Sequence, residues 1–340
     1  MSIDRFVSKC EKLLERCEER GPQELLSRDH SLNGGIVTGI EGRNIEIQAR
    51  ATGLSGSCWE GSVRITGMAR GAIGEAMARI SGAFAKLRIP DPPVSITVNL
   101  APADLPKEGT WLDLPLAIII LQAAGYLPDL ADHLEGDYIL MGELSLHGEV
   151  RRVPGALSIA FEAKPGQRLI VPAGNEMECA LILAKPGHEG CGVFPVSHLS
   201  DVIEFFAGTR TLENALSRKL EFENAIPKAM DFGKIKGQER AKRAATISAA
   251  GGHNMLNMLL IGPPGEGKTM IANAMAGILP RLRDAEKVLL TKIYSASGAL
   301  ERDGTTFVNA AIVGEDYRLN GKGHFLLNLD AHSEVKNHRK

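Results

Sequence analysis

Apolar residues recur at helical spacing at the start of the chain. Across residues 4–20, Phe6, Cys10, Leu13, Leu14 and Cys17 fall on one stripe with charges elsewhere, which predicts an amphipathic helix. Such a stripe either docks on the body of the protein or pairs with another copy of itself. Gly21-Pro22 ends it. From Gly34 the pattern shortens. IVTGIEGRNIEIQARAT and GSVRIT are Gly-punctuated and rich in β-branched residues, and they predict strands. MARGAIGEAMARISGAFAKL returns to three- and four-residue spacing through Met68, Ile73, Met77, Ile80, Phe84 and Leu87, a helix packed on that sheet.

After Pro90, Pro92 and Pro93, VSITVNL alternates Val94, Ile96, Val98 and Leu100 on one face, the mark of a half-buried strand. LDLPLAIIILQAAGYL reads as a largely buried helix, and YILMGELSLHGEV as a hairpin. A helix near 154–163, a strand RLIVP, a helix NEMECALILA, a strand CGVFPVS and a helix LSDVIEFFAG complete an α+β unit ending near Gly208. Residues 209–230 are polar and charged and read as a linker. Beyond them GQERAKRAATISAAGGHN predicts a helix, NMLLI a strand, and MIANAMAGIL a second helix.

Composition narrows the class. The chain has 340 residues, enough for roughly two domains, with 44% hydrophobic and 24% charged residues. A formal net charge of −2 gives no global field toward nucleic acid or membrane. No apolar run approaches the length of a membrane span, and the charged N-terminus lacks the apolar region of a signal peptide. Five cysteines at irregular spacing fit reduced thiols, so the sequence reads as cytoplasmic.

The strongest chemical signal lies between the last predicted strand and helix. Gly262, Pro263, Pro264, Gly265, Glu266, Gly267, Lys268 and Thr269 satisfy G-x-x-x-x-G-K-[ST] at every position. The glycines let backbone N–H groups converge on phosphate oxygens, and the helix that follows, with Met270 in its first turn, adds its N-terminal dipole. Lys268 is placed for the β- and γ-phosphates and the Thr269 hydroxyl for Mg²⁺. ATP and Mg²⁺ are the implied cofactors. Hydrolysis needs more: an acidic residue closing a second strand to hold Mg²⁺, and a group that orients the attacking water. In HFLLNLDAHSE, Asp330 closes an apolar run but Ala331 follows it. Asp330 reads either as that metal ligand or as a helix cap or turn residue.

The segments DFGKIKGQERAKRA and MLLIGPPGEGKTM resemble the magnesium-chelatase-like AAA+ ATPases, and the whole chain resembles their YifB/ComM branch. GMARGAIGEAMARI, NLAPADLPKEGTWLDLPLAI, MGELSLHGEVRRVPGAL and LIVPAGNE carry the likeness through the first domain. The resemblance implies an α/β chain, with an α+β N-terminal domain like the Lon protease and ribosomal S5 domain 2 fold, then a truncated P-loop AAA+ parallel-sheet domain. The boundaries it implies are an N-terminal helical extension over 1–33, the Lon-like domain over 34–208, the linker over 209–230 and the partial AAA+ domain over 231–340. It places Gly237 and Gln238 beside the adenine base. It implies self-association into a ring, often hexameric, and DNA as a partner in ATP-driven branch migration during natural transformation, with no membrane role. No feature of this sequence independently demands DNA.

Two departures from the family alter the expectation. Lon-type peptidases pair a Ser nucleophile with a Lys, yet the matching loop PKEGTWLDLP holds no serine and Ser158 stands about where the lysine belongs. Thr110 and Lys107 lie nearby, outside the matching slot, so a binding or assembly role is expected instead of peptidase activity. Downstream, the family's RPFR-x-PHH element is absent, and no sensor residues, arginine finger or helical lid follow the weakened HFLLNLDAHSE. Impaired hydrolysis is therefore expected, with a non-catalytic module carrying a vestigial ATPase domain as the alternative. Cys179, His188, Cys191 and His198 lack metal-site spacing. Lys228, Lys234, Lys236, Arg240, Lys242 and Arg243 form either a solvated face beside the nucleotide or a patch that meets DNA or phosphate.

Overall fold

The computed structural model describes residues 3–26, 28–55, 57–67, 70–103, 105, 107, 109–128, 137–217, 230–251, 261, 265–275, 277–278, 284–298, 301–302 and 305–306. The chain divides into two compact units, Met1–Lys219 and Leu220–Lys340. The first is a mixed α/β body around a seven-stranded sheet. No described helix is long and apolar enough to cross a membrane.

In chain order the first unit holds α1 (Ile3–Arg20), α2 (Gln23–Leu26), β1 (Asp29–Thr38), β2 (Glu41–Leu54), α3 (Trp59–Ser62), β3 (Val63–Thr66), α4 (Arg70–Lys86), β4 (Val94–Ala101) and α5 (Asp113–Ala123). There follow β5 (Tyr138–Leu140), β6 (Glu143–Leu144), β7 (Val150–Arg151), α6 (Ala156–Phe161), β8 (Arg168–Pro172), α7 (Glu176–Leu183), β9 (Gly192–Val196) and α8 (Leu199–Phe206). The large sheet runs β3-β4-β2-β1-β5-β8-β9. Pairing is antiparallel at β4–β2 and β2–β1 and parallel at its other four junctions.

The two kinds of pairing differ in burial as the physics requires. In β2, Ile45, Ile47, Ala49 and Ala51 are buried while Glu46, Gln48, Arg50 and Thr52 face solvent, the alternation of a sheet covered on one side. β5 is buried at every residue and β8 at all but its first, as expected of parallel strands covered on both faces. Helix α5 lies against β1 and β2 and is buried along its whole length. Its one acid, Asp113, meets Arg79 of α4 through Nε at 2.6 Å and a second nitrogen at 3.0 Å, and accepts from the Leu144 amide at 3.1 Å. A buried carboxylate needs such partners.

Helix α1 docks on the first unit: Phe6 and Cys10 are buried in its core, with Val7, Leu13 and Leu14 packed against it. Of the two readings of that stripe, this is the docked one. Gly21, at φ +77°, returns its N–H to the Cys17 carbonyl and closes the helix.

Two expectations about the strands are corrected. Tyr138–Leu140 is not one arm of a hairpin; it pairs in parallel with β1 and β8, and the hairpin is the smaller β6–β7 pair after it. The first strand begins at Asp29, ahead of Gly34, because the β1–β2 register runs back to Asp29 opposite Arg50 and an ion pair at 2.5 Å ties that end. Residues 209–217, read as linker, are tied to the first unit: Ala215 is buried and Asn214 accepts from the Val193 amide at 3.0 Å.

In the second unit the described elements are α9 (Glu239–Ala250), α10 (Lys268–Met275), α11 (Asp284–Ala296) and the short pair β10 (Glu301–Arg302) and β11 (Thr305–Thr306). A 3₁₀ turn at Phe232–Lys234 is capped by Asp231, whose side chain accepts from the Gly233 amide at 2.8 Å. The core here joins Ile235, Ala245, Ile271, Ala274 and Met275. The predicted strand NMLLI falls outside the described residues except for Ile261.

Candidate phosphate-binding site

The second half of the phosphate loop stands directly before α10. Gly265 and Gly267 have φ of +91° and +79°, a backbone that side-chain-bearing residues adopt only at a cost. Lys268 and Thr269 are the first two residues of α10. Their backbone N–H groups belong to the first turn, where amides have no intrahelical acceptor and the dipole is positive. Thr269 and Met270 are exposed and Lys268 is half-buried. The helix is anchored from behind by Ile271, Ala274 and Met275, and the Ile271 amide donates to the Gly267 carbonyl at 3.0 Å.

A second segment meets this loop. Gly237 and Gln238 are consecutive left-handed residues, at φ +70° and +56°, and Gln238 precedes α9 without capping it through its side chain. Instead its Nε2 donates to the carbonyl oxygen of Glu266 at 3.2 Å. Lys242, one turn into α9, donates from Nζ to the Ile235 carbonyl at 3.1 Å and pairs with Glu239 at 2.7 Å. Ile235 is itself buried against α10 in the small core. Helix α9, the 235–238 segment and the loop are thus connected through side chains.

The structure therefore brings together Gly237, Gln238, Gly265, Glu266, Gly267, Lys268, Thr269 and Met270. Gly262, Pro263, Pro264 and Asp330 lie outside the described residues. Sequence reasoning missed Lys242 as a brace and assigned Gln238 to the base side alone. Nothing in the spacing marks a side chain that bonds to a loop 28 positions away.

The residues fit an anionic ligand with a metal: left-handed glycines, a helix start and a lysine on one loop suit a polyphosphate, and the exposed Thr269 hydroxyl suits a hard cation. When bound, Mg²⁺ would neutralise phosphate charge, with Thr269 as its ligand among the described residues.

The residues weighed for other chemistry serve structural roles where they are described. Ser158 is fully buried and donates from Oγ to the Ile40 carbonyl at 2.8 Å. Lys107 is buried with Nζ donating to the carbonyls of Leu105, at 3.1 Å, and Pro102. Cys179 and Cys191 donate to the Ala156 and Lys164 carbonyls. His188 Nδ1 lies 3.0 Å from the Ala163 carbonyl, and His198 caps α8 by accepting from Ser200. Among the described residues no three such groups gather as a metal site.

Two family models match the chain: subunit ChlI of Mg-chelatase over residues 57–175, and magnesium chelatase, subunit ChlI, over residues 231–311. The chain belongs with the magnesium-chelatase ChlI proteins, one matched segment in each unit. Its homologues include proteins named YifB and ComM. It is 42% identical to YifB of Salmonella typhimurium over 236 residues, 69% of this chain and 44% of the relative. It is 42% identical to YifB of Escherichia coli over 241 residues, again 69% and 44%. It is 36% identical to the competence protein ComM of Haemophilus influenzae over 236 residues, 68% and 44%. The chain spans a little under half the length of these relatives.

Proposed function

We propose that this chain binds ATP·Mg²⁺ through Gly262–Thr269, as the nucleotide-binding part of a YifB/ComM-type AAA+ protein. The observation that carries the reading is the loop itself: a complete phosphate-loop sequence whose second half has two left-handed glycines and whose Lys268 and Thr269 open a helix. In this reading Lys268 contacts the β- and γ-phosphates, Thr269 and Asp330 hold Mg²⁺, and Gly237 and Gln238 stand on the base side. The first unit has the Lon-type fold and serves binding or assembly.

One relative is named a competence protein; with the resemblance to the YifB/ComM branch, this extends the proposal to DNA processing in natural transformation, carried out by a self-associated, ATP-driven ring. Hydrolysis by this 340-residue chain alone is weak, because Ala331 follows Asp330 where a water-activating carboxylate would stand.

Calorimetry with ATP·Mg²⁺ tests the reading. Lys268→Ala is expected to weaken binding roughly 10- to 150-fold, the equivalent of about 1.5–3 kcal/mol for a charge-assisted contact. No binding at millimolar ATP would overturn it in favour of a non-catalytic assembly module with a vestigial ATPase domain. Phosphate release well above background, abolished by Lys268→Ala, would overturn the claim of weak hydrolysis. The same assay with branched DNA tests the family role.

A further inference from the structure

Gln238 stands where local rules favour another residue. It is a non-glycine residue at φ +56° that directly follows Gly237 at φ +70°. It also occupies the position before α9, where its side chain makes no cap. Glycine or asparagine would satisfy both the left-handed backbone and the helix start better. Backbone strain of this kind persists where something else holds it, and it gathers at functional sites. Here the long side chain reaches out of its own turn to the Glu266 carbonyl, at 3.2 Å.

That carbonyl is one end of the peptide joining Glu266 to Gly267. In a trans peptide the C=O and N–H groups point in opposite directions. Holding the Glu266 oxygen therefore holds the Gly267 N–H on the opposite side of the same plane. Glycines flank this peptide closely, and packing by described residues restrains it little. A Cβ at Gly265 would meet nothing within 4 Å, and one at Gly267 only the Met270 Cε at 3.5 Å. Rotating such a peptide is sterically cheap at a glycine. The next carbonyl, of Gly267, is already engaged by the Ile271 amide in α10. The Gln238 bond thus completes the restraint on a loop whose amides must all face one anion.

We propose that Gln238 is a positioning residue for the phosphates: its side-chain amide latches the Glu266–Gly267 peptide in one orientation, and so presents the Gly267 N–H to a bound polyphosphate. The proposal rests on the reading of Gly262–Thr269 as a nucleotide site. It assigns Gln238 an action on the phosphate end of the ligand in addition to any contact with the base, and that difference is measurable.

Inorganic tripolyphosphate carries the phosphate contacts and no base. Binding of ATP·Mg²⁺ and of tripolyphosphate is measured by calorimetry on the full chain and on Gln238→Met, which keeps length and removes the donor. The latch predicts that both ligands weaken by the same factor, roughly three- to tenfold for one lost hydrogen bond. Gln238→Gly removes the donor while relieving the left-handed backbone, so it should bind both ligands as weakly as Gln238→Met without losing thermal stability. It also carries the measurement if Gln238→Met does not fold. Loss of ATP affinity with tripolyphosphate affinity intact would overturn the latch and make Gln238 a base contact alone. Unchanged affinity for both ligands would overturn it as well. Either failure differs from failure of the nucleotide reading itself, in which the unmutated chain binds neither ligand.

Discussion

The two units of this chain divide structure and chemistry unequally. The first wraps a seven-stranded sheet with a helix buried on all sides, and its core runs from Phe6 of α1 to Phe206 of α8. The second, among the described residues, has a core of Ile235, Ala245, Ile271, Ala274 and Met275, and leaves Ile247, Leu289 and Ile293 exposed. Yet the candidate phosphate site belongs to the second. Ligand-binding loops come from the less densely packed parts of proteins because they must yield to the ligand. The difference teaches where restraint comes from: burial in the first unit, and individual hydrogen bonds such as Gln238 to Glu266 in the second.

The sharpest way to break this contrast is to remove packing from the first unit. Phe84 is fully buried with Trp59 at a centroid distance of 4.7 Å. Phe84→Ala should cost about 3–5 kcal/mol in denaturant unfolding; a loss below about 1 kcal/mol would mean the core is looser than its burial implies. Gly42 comes next. A methyl there would collide with the Ser158 carbonyl and lie 2.7 Å from Ile159 Cα, which is backbone that cannot turn aside. Gly42→Ala should cost about 1–3 kcal/mol through overpacking, read as a lowered unfolding midpoint.

Alkaline pH probes the same core. Burial pushes the Cys10 thiol up from 9.0 to about 12, and burial likewise raises Cys179 well above its ordinary value. A folded pKa above the unfolded one means stability present in full below pH 9.0 and lost as pH rises toward about 12. The Cys10 thiol should contribute a slope of about 1.4 kcal/mol per pH unit within that range, and Cys10→Ala should remove that contribution in chemical unfolding measured from pH 8 to 11. The smallest effect belongs to the second unit's surface. Ile247 is 59% exposed, and Ile247→Ser should change stability by no more than about 0.5 kcal/mol. A larger loss by thermal melting would show that this face is covered in solution.

Much of this was readable in advance, for reasons that differ by element. The run LPLAIIILQA has no polar face to offer water, so a buried helix was its one economical placement. The alternation in VSITVNL assigned each β4 side chain to its face before any partner strand was known, and Val94, Ile96, Val98 and Leu100 are indeed buried. The phosphate loop was legible because its chemistry depends on residues adjacent in the chain. YIL was misread because three apolar residues carry no period, and turn-like residues after them point equally to a hairpin or to a strand that leaves the sheet. The Arg79–Asp113 pair joins positions 34 apart and the Ser158–Ile40 bond positions 118 apart, and neither leaves a mark in local spacing.

By itself, then, the sequence determined the periodic elements, the docked or paired stripe of α1, and a complete phosphate-loop motif, since each depends on neighbours a few positions away. Tertiary structure alone decided that α1 docks, that β5 joins the main sheet, and that Gln238 reaches the Glu266 carbonyl. These are choices among partners distant in the chain. Periodicity leaves such partners equivalent until register and packing closure select one.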